Sequence, residues 1–302
     1  QQSDQVPQPC YGVTMKLITK PSVYLVGMQT YDDEVLDKFF HDHEIDFWAT
    51  DTANVAEKLC EVAGRLCYMS FAKPRPGGNK AYLDRIIESQ HGSVLEHAVY
   101  NFIFTGVSRS LTHELVRHRI GLGFSQLSQR YVDESVAEYV VPPELQREVA
   151  TAQTWLDLQN DLIARPVITP EMEAGLAWLE SVRVSHEKYQ KLAEYIVKRN
   201  TEAQESDLTQ EEKTTIRKAA RGAARSILPN ATETKIFVTM NARAARHMIE
   251  MRCSRHADAE IRILFGMVWE CLVQQAPNIF GDYTKVNLPD GTFEVTTPNR
   301  KV

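Results

Sequence analysis

Residues 113–131 read HELVRHRIGLGFSQLSQRY. Within nineteen residues the run sets three arginines (Arg117, Arg119, Arg130) and two histidines (His113, His118), with Gly121 and Gly123 between the clusters. Leu115 and Val116 make the first part a partly buried helix, which Ser108 or Ser110 caps and which is expected to run through His118. Gln126, Ser128 and Arg130 alternate, which predicts an extended segment with all three on one face. The two glycines let the backbone turn and approach a ligand. Arginine is a permanently charged, planar donor suited to phosphate and carboxylate. A face of Gln126, Ser128 and Arg130 beside Arg117 is therefore a candidate nucleotide cradle. The competing reading is an exposed helix end followed by a loop, and the interleaved apolar and polar positions weigh against it.

Upstream, Val23–Met28 and Val99–Thr105 read as strands, and the spacing of Val55, Leu59, Val62 and Leu66 predicts a helix over 52–69. Residues 80–90 are expected to be helical. Downstream, 133–168 is polar and broken by Pro142-Pro143 and Pro166. Thr169-Pro170 then opens a long helix along the stripe Met172, Leu176, Leu179, Val182, His186, Tyr189, Leu192 and Ile196. A second helix is expected over 206–228, a strand over Ile236–Met240, and helices over 243–253 and 257–275. Pro289-Asp290-Gly291 marks a turn between two extended segments. No linker divides the chain. The expected class is α+β: one helix-rich domain with a small central β-sheet flanked by helices.

Composition narrows the function. The 302 residues include 34 Lys+Arg against 40 Asp+Glu, a net charge of -6, which argues against a general nucleic-acid binder. The most apolar run, Ile263–Trp269, is far short of the roughly 20 residues of a membrane span. Five cysteines at irregular spacing form no disulfide framework and no zinc pair, so reduced thiols in a cytoplasm are expected. No metal is expected either, because His113 and His118 are five apart, roughly 140° round a helix, whereas the zinc-protease motif needs four. Ser185–Lys188 matches S-x-x-K in mid-helix without a supporting motif, and His41 and His43 lie in an acidic, solvated stretch.

A second dense region is 241–256. On a helix, Arg243, His247 and Glu250 share one face, while Ala244, Met248 and Met251 fall on an apolar one. Two basic, His-bearing segments in an acidic chain point to a concentrated anion site.

These residues resemble the signature of the flavin-dependent thymidylate synthases. Arg117-His118-Arg119 followed by Ser128-Gln129-Arg130-Tyr131 is similar to the family's triplet and serine, with eight residues in the gap where seven are usual. His91–His97 resembles its flavin-contacting segment, Arg225–Pro229 its second nucleotide-binding arginine, and Asn241–Arg252 its C-terminal flavin and substrate helix. The resemblance implies a catalytic domain over 21–302, preceded by an extension over 1–20 and expanded by helices over 131–220.

It also implies reductive methylation of dUMP to dTMP, with 5,10-methylenetetrahydrofolate giving the one-carbon unit and NADPH reducing a bound FAD. By position, Arg252 is the catalytic residue at the uracil edge. Glu114, Arg117, Gln126, Leu127, Ser128, Gln129, Arg130, Arg225 and Arg252 are expected at dUMP. Ser93, Arg117, His118, Arg119, Gln126, Asn241, Arg243 and His247 are expected at FAD. A cytoplasmic homotetramer with active sites between subunits is implied, with no nucleic-acid or membrane partner. No G-x-G-x-x-G fingerprint is present, so FAD needs another architecture. Cys253 reads as a buried small hydrophobe rather than a nucleophile, and Ser128 has no evident activating base. The alternative is a flavoprotein of the same fold with another substrate.

Overall fold

Caps and breaks in the sequence set most element boundaries. The computed structural model describes residues 15–45, 48–73, 76–158, 167–202, 208–289 and 291–302. A two-residue strand, Leu17–Ile18 (β1), precedes Ser22–Met28 (β2). Asp32 accepts the Val35 amide and caps Asp33–Asp42 (α1), a helix the sequence reading lacks; His41 and His43 are exposed there, as expected. Asn54 caps Val55–Leu66 (α2) inside the expected span. Gly78–Glu88 (α3) leads to a tight turn over Gly92–His97, and Val99–Ser108 (β3) follows.

Ser108, not Ser110, caps Arg109–Leu115 (α4), accepting the Leu111 amide at 3.0 Å. The helix stops three residues short of His118. The Arg117 and His118 amides bond to the carbonyls of Glu114 and Leu115, a tightening that closes the helix. Gly121, at φ 72°, then reverses the chain into Leu122–Gln126 (β4). The expected extended segment ends with β4. The amides of Tyr131 and Val132 both return to the Ser128 carbonyl, so Gln126, Ser128 and Arg130 do not line one strand face.

Tyr139–Val140 (β5) is followed by Gln146–Leu158 (α5), a helix inside the stretch that reads as polar and broken. Pro170–Glu202 (α6) opens at Pro170, with the Met172 amide bonded to Thr169 Oγ1 at 3.3 Å. A reciprocal Thr209–Glu212 capping box starts Gln210–Ala224 (α7); the first residues of the helix expected over 206–228 lie outside the described ones. The helix gives way to a tight turn over Arg225–Ile227 before Pro229, whose ring disfavours helical backbone in the residue before it. Glu233–Asn241 (β6), Ala242–Arg252 (α8), Ala259–Gln275 (α9) and Pro277–Phe280 (α10) follow. Thr284–Asn287 (β7) and Phe293–Thr296 (β8) pair antiparallel around the expected turn, of which Asp290 lies outside the described residues.

The chain divides into two compact units, one of residues up to Thr19, Ser128–Val141 and Leu145–Glu233, the other of Lys20–Leu127, Pro142–Glu144 and Thr234–Val302. The second carries the central sheet, ordered β2-β3-β6-β4, with β2/β3 and β4/β6 antiparallel. Alternation along β3 and β6 turns Tyr100, Phe102, Phe104, Ile236, Val238 and Met240 inward. Side chains from α2, α3, α8 and α9 cover that face, among them Leu83, Met248 and Phe265. Burying each such side chain stabilises the fold by about 1.5–3 kcal/mol. A smaller aromatic cluster joins Phe40, Trp48 and Phe71, with ring centroids 4.9–6.1 Å apart.

The first unit is helical, built from α5, α6 and α7 with the short parallel pair β1/β5. The architecture is the expected helix-rich α+β class. No helix among the described residues is long and apolar enough to cross a membrane.

Candidate functional site

Three segments far apart in sequence converge in the larger unit: the turn Gly92–His97, the loop between α4 and β4, and helix α8. Asn241 starts α8, its Oδ1 accepting the Ala244 amide at 2.8 Å. Its own amide donates to the Gly121 carbonyl at 3.0 Å. A Cβ at Gly121 would stand 2.8 Å from Asn241 Nδ2 and 2.9 Å from Ala244 Cβ. Glycine is therefore needed at 121 both for its positive φ and because the loop lies against the start of α8. Gly123, by contrast, is an ordinary strand residue, with its nearest neighbour 3.8 Å from the Cβ position.

At the other end of α8, Arg252 closes the site. Its Nε and Nη2 both point at His118 Nε2, at 3.1 and 2.8 Å, and its Nη1 donates to Glu114 Oε2 at 2.7 Å. For two guanidinium donors to meet one ring nitrogen, that nitrogen must hold its lone pair, so His118 is neutral with its proton on Nδ1. Burial, and then the positive charges of Arg252, His247 and Arg117, hold His118 below its usual value. The His247 ring stands edge-on to it, centroids 5.9 Å apart. Burial and a hydrogen bond with Asp258 push the Glu114 carboxyl up, against the opposing pull of Arg252. Arg252 thus sits between a neutral imidazole and a carboxyl, donating to both.

The expected site residues divide clearly. In the larger unit, Glu114, His118, His247 and Arg252 are brought together. Arg243 bonds to Glu96 Oε1 at 2.6 Å and reaches the Val302 carbonyl at 3.3 Å. Arg117, Arg119 and Ser93 are exposed, and the two guanidinium groups make no ion pair among the described residues. Gln126 donates to Thr112 and Thr234 hydroxyls at 3.0 and 3.3 Å, and the Leu127 carbonyl accepts from Arg109.

In the smaller unit, Gln129 is buried. Arg130 is exposed and passes over Gly222 of α7, and the Arg225 side chain is exposed just after α7. Ser128 Oγ accepts the Arg130 amide at 3.4 Å, and no imidazole or carboxylate bonds to it among the described residues. Burial pushes the Cys253 thiol up to about 12, which makes it a poor nucleophile, as read from the sequence.

One expectation for α8 is corrected. Met251 is 48% exposed and does not join Ala244 and Met248 on the apolar face. Glu250 is engaged elsewhere, its two oxygens accepting from Arg300 Nε and the Lys301 amide. Sequence reasoning also missed Glu96, Asp258, Glu260 and Arg246. Glu96 lies within the quoted His91–His97 segment and was within reach of notice. Glu260 holds the start of α4, accepting from both the Ser108 amide and hydroxyl at 2.7 and 2.6 Å, a partnership no local pattern announces.

Chemically, the larger unit presents exposed or half-exposed arginines at 117, 119 and 243, hydroxyl and imidazole donors, and no phosphate-binding glycine loop. This donor set fits an anionic dinucleotide held by side chains rather than by a Rossmann turn.

Comparison with known proteins agrees. A family described as "Thymidylate synthase complementing protein" matches residues 50–278. The chain is 43% identical over 253 residues to a flavin-dependent thymidylate synthase of Mycobacterium leprae (strain Br4923), covering 83% of this chain and 89% of the relative. It is likewise 43% identical over 254 residues to one of Mycobacterium tuberculosis (strain ATCC 25177 / H37Ra), covering 83% and 88%. Among solved structures, a UMP/dUMP methylase PolB from Streptomyces cacaoi bound with 5-Br dUMP superposes with a TM-score of 0.58 at 19% identity, over 88% of this chain and 96% of that one. At that identity the likeness speaks for the fold.

Proposed function

The chain belongs to the flavin-dependent thymidylate synthases, and on that premise we propose that it converts dUMP to dTMP with FAD, 5,10-methylenetetrahydrofolate and NADPH. FAD, when bound and reduced, supplies the hydride that completes the methyl group. The protein's own part is to bind, orient and polarise. Uracil attacks an electrophilic methylene only when electron density moves to C5, and a guanidinium at the N3/O4 edge stabilises the ionised ring.

Arg252 takes that role, and the observation that carries it is its fixed fork between Glu114 and neutral His118. Arg130 and Arg225 bind the nucleotide phosphate, with Gln126, Leu127, Ser128 and Gln129 along the nucleotide and Arg117 near both ligands. Ser93, His118, Arg119, Asn241, Arg243 and His247 hold the flavin. Since Asn241 Oδ1 and the Gln126 amide nitrogen already have partners, their ligand contacts use Asn241 Nδ2 and Gln126 Oε1. The catalytic domain spans 21–302, and its working form is a cytoplasmic homotetramer with each site completed by more than one copy.

The test is dTMP formation by the purified protein with dUMP, methylenetetrahydrofolate, NADPH and FAD, each omitted in turn. A requirement for all four supports the reading. Bound FAD without product would make it a flavoprotein of this fold with another substrate. Arg252→Ala is expected to keep FAD but lower turnover by about 100-fold or more, the size found when one transition-state donor is lost. Undiminished turnover would refute the polarising role.

A further inference from the structure

The segment after β8 folds back over α8 and ends at the turn Gly92–His97. Thr297 Oγ1 and Asn299 Nδ2 donate to Asp282 Oδ2 at 2.6 and 3.0 Å. Arg300 Nε and the Lys301 amide then converge on the two oxygens of Glu250, at 2.9 and 3.0 Å, while the Arg300 carbonyl accepts from Gln90 at 3.3 Å. Lys301 is left-handed, φ 60°, a conformation that a non-glycine residue keeps only where its surroundings impose it. This turn delivers Val302: its side chain is buried in the main core, and its carbonyl accepts from Arg243 Nε.

Gly92 is what makes room. A Cβ there would stand 2.5 Å from the Val302 carbonyl carbon and 2.8 Å from Arg243 Nε. Arg243 is thus gripped from two sides, by Glu96 on Nη1 and by Val302 on Nε, and its Nη2 has no partner among the described residues. The Arg243 side chain remains 44% exposed, so it is oriented without being covered.

We propose that residues 297–302 are a strap that orients Arg243 toward the anionic part of the flavin dinucleotide, with Arg300 and Glu250 as positioning residues. The inference rests on the flavin site of the functional reading. An arginine free to rotate loses side-chain entropy on meeting its ligand, and one already fixed loses less, so the strap raises affinity through preorganisation.

The experiment is titration of FAD into the full chain, followed by flavin fluorescence, for the unsubstituted protein, Arg300→Glu, Arg300→Lys and Gly92→Ala. The Arg300 side chain is 68% exposed, so its substitution leaves the core untouched. Arg300→Glu places like charges together and is expected to weaken FAD binding about tenfold, the lower end of what loss of an orienting partner costs. Arg300→Lys restores the binding, and Gly92→Ala reproduces the loss from the other side of the contact. The melting temperature of Arg300→Glu without flavin, and dUMP affinity at saturating FAD in each variant, stay unchanged, whereas Gly92→Ala, which presses on the Val302 backbone, also lowers the melting temperature. Unaltered FAD affinity in both Arg300→Glu and Gly92→Ala overturns the strap alone. In Arg300→Glu, loss of melting temperature together with both affinities overturns it too, by showing general damage. Failure of the unsubstituted chain to bind FAD overturns the functional reading, and the strap with it.

Discussion

His118 is the acceptor on which Arg252 depends. Protonated, it would turn a second donor toward a guanidinium, and the fork would open. Because burial and the neighbouring cations lower its proton affinity, this happens only below the usual histidine value of 6.5. The acid limb of kcat/KM for dUMP is therefore expected below that pH. His118→Gln keeps an acceptor oxygen that does not titrate, and should remove that limb while activity near neutrality persists at a reduced level. A pH–rate profile with the limb intact in His118→Gln would assign it to another group, Glu114 first. At this scale the sequence was informative where chemistry is written in residue type. Arginines and histidines stood out in 113–131, while Glu114 entered only through the family resemblance. What it could not convey is which atoms are already engaged, as with Asn241 Oδ1 capping α8.

Helices α5 and α6 meet through Gly175. A Cβ on it would lie 2.1 Å from the Glu148 carbonyl oxygen and 2.8 Å from Ala152 Cβ, so the two backbones are nearly in contact. On an isolated helix, Gly→Ala stabilises by about 1 kcal/mol. Here the sign is expected to reverse. Gly175→Ala should destabilise the chain by about 1–3 kcal/mol, the usual size of overpacking. Urea unfolding reads this directly, and a stabilised variant would mean the helices can part.

Elements were legible where a cap and an apolar stripe coincide, as at Thr169-Pro170 ahead of Met172, Leu179, Val182 and Tyr189, all buried. They were not legible where one signal stood alone. Gln126-Leu127-Ser128-Gln129-Arg130 alternates like a strand, but pairing with β6 stops after Gln126 opposite Ile236 and a last bond from the Leu127 amide to the Lys235 carbonyl. Helix α1 buries just Phe40 and hides in a charged stretch.

Across the larger unit, Arg246 is the fastener. It is 2% exposed, pairs both oxygens of Asp282 at 2.6 and 2.8 Å, and also donates to the carbonyls of Ile279 and Asn299. Burial alone would raise the Asp282 carboxyl. Arg246, Thr297 and Asn299 outweigh it and hold the carboxyl below the usual aspartate range. The native state thus prefers ionised Asp282. The stability this adds is complete above the unfolded value and is lost as pH falls through the folded one.

Asp282→Asn is expected to cost about 3–5 kcal/mol at neutral pH, as for any buried charge left without its partner. It should also flatten the acid side of the stability–pH curve. A denaturation midpoint within error of the unsubstituted protein would refute the fastener. Nothing in local periodicity announces a bond between residues 246 and 282, or between 118 and 252. Contacts at such separation entered the sequence reading only through family resemblance.

Helix α8 carries Arg243 at its start, His247 at its middle and Arg252 as its last residue. The offset between the flavin contacts and the uracil edge proposed above is thus counted in peptide units, at about 1.5 Å and 100° apiece. One residue added between His247 and Arg252 would swing the guanidinium about a quarter-turn off His118. The proposed site thus has no slack along this helix, which acts as its ruler.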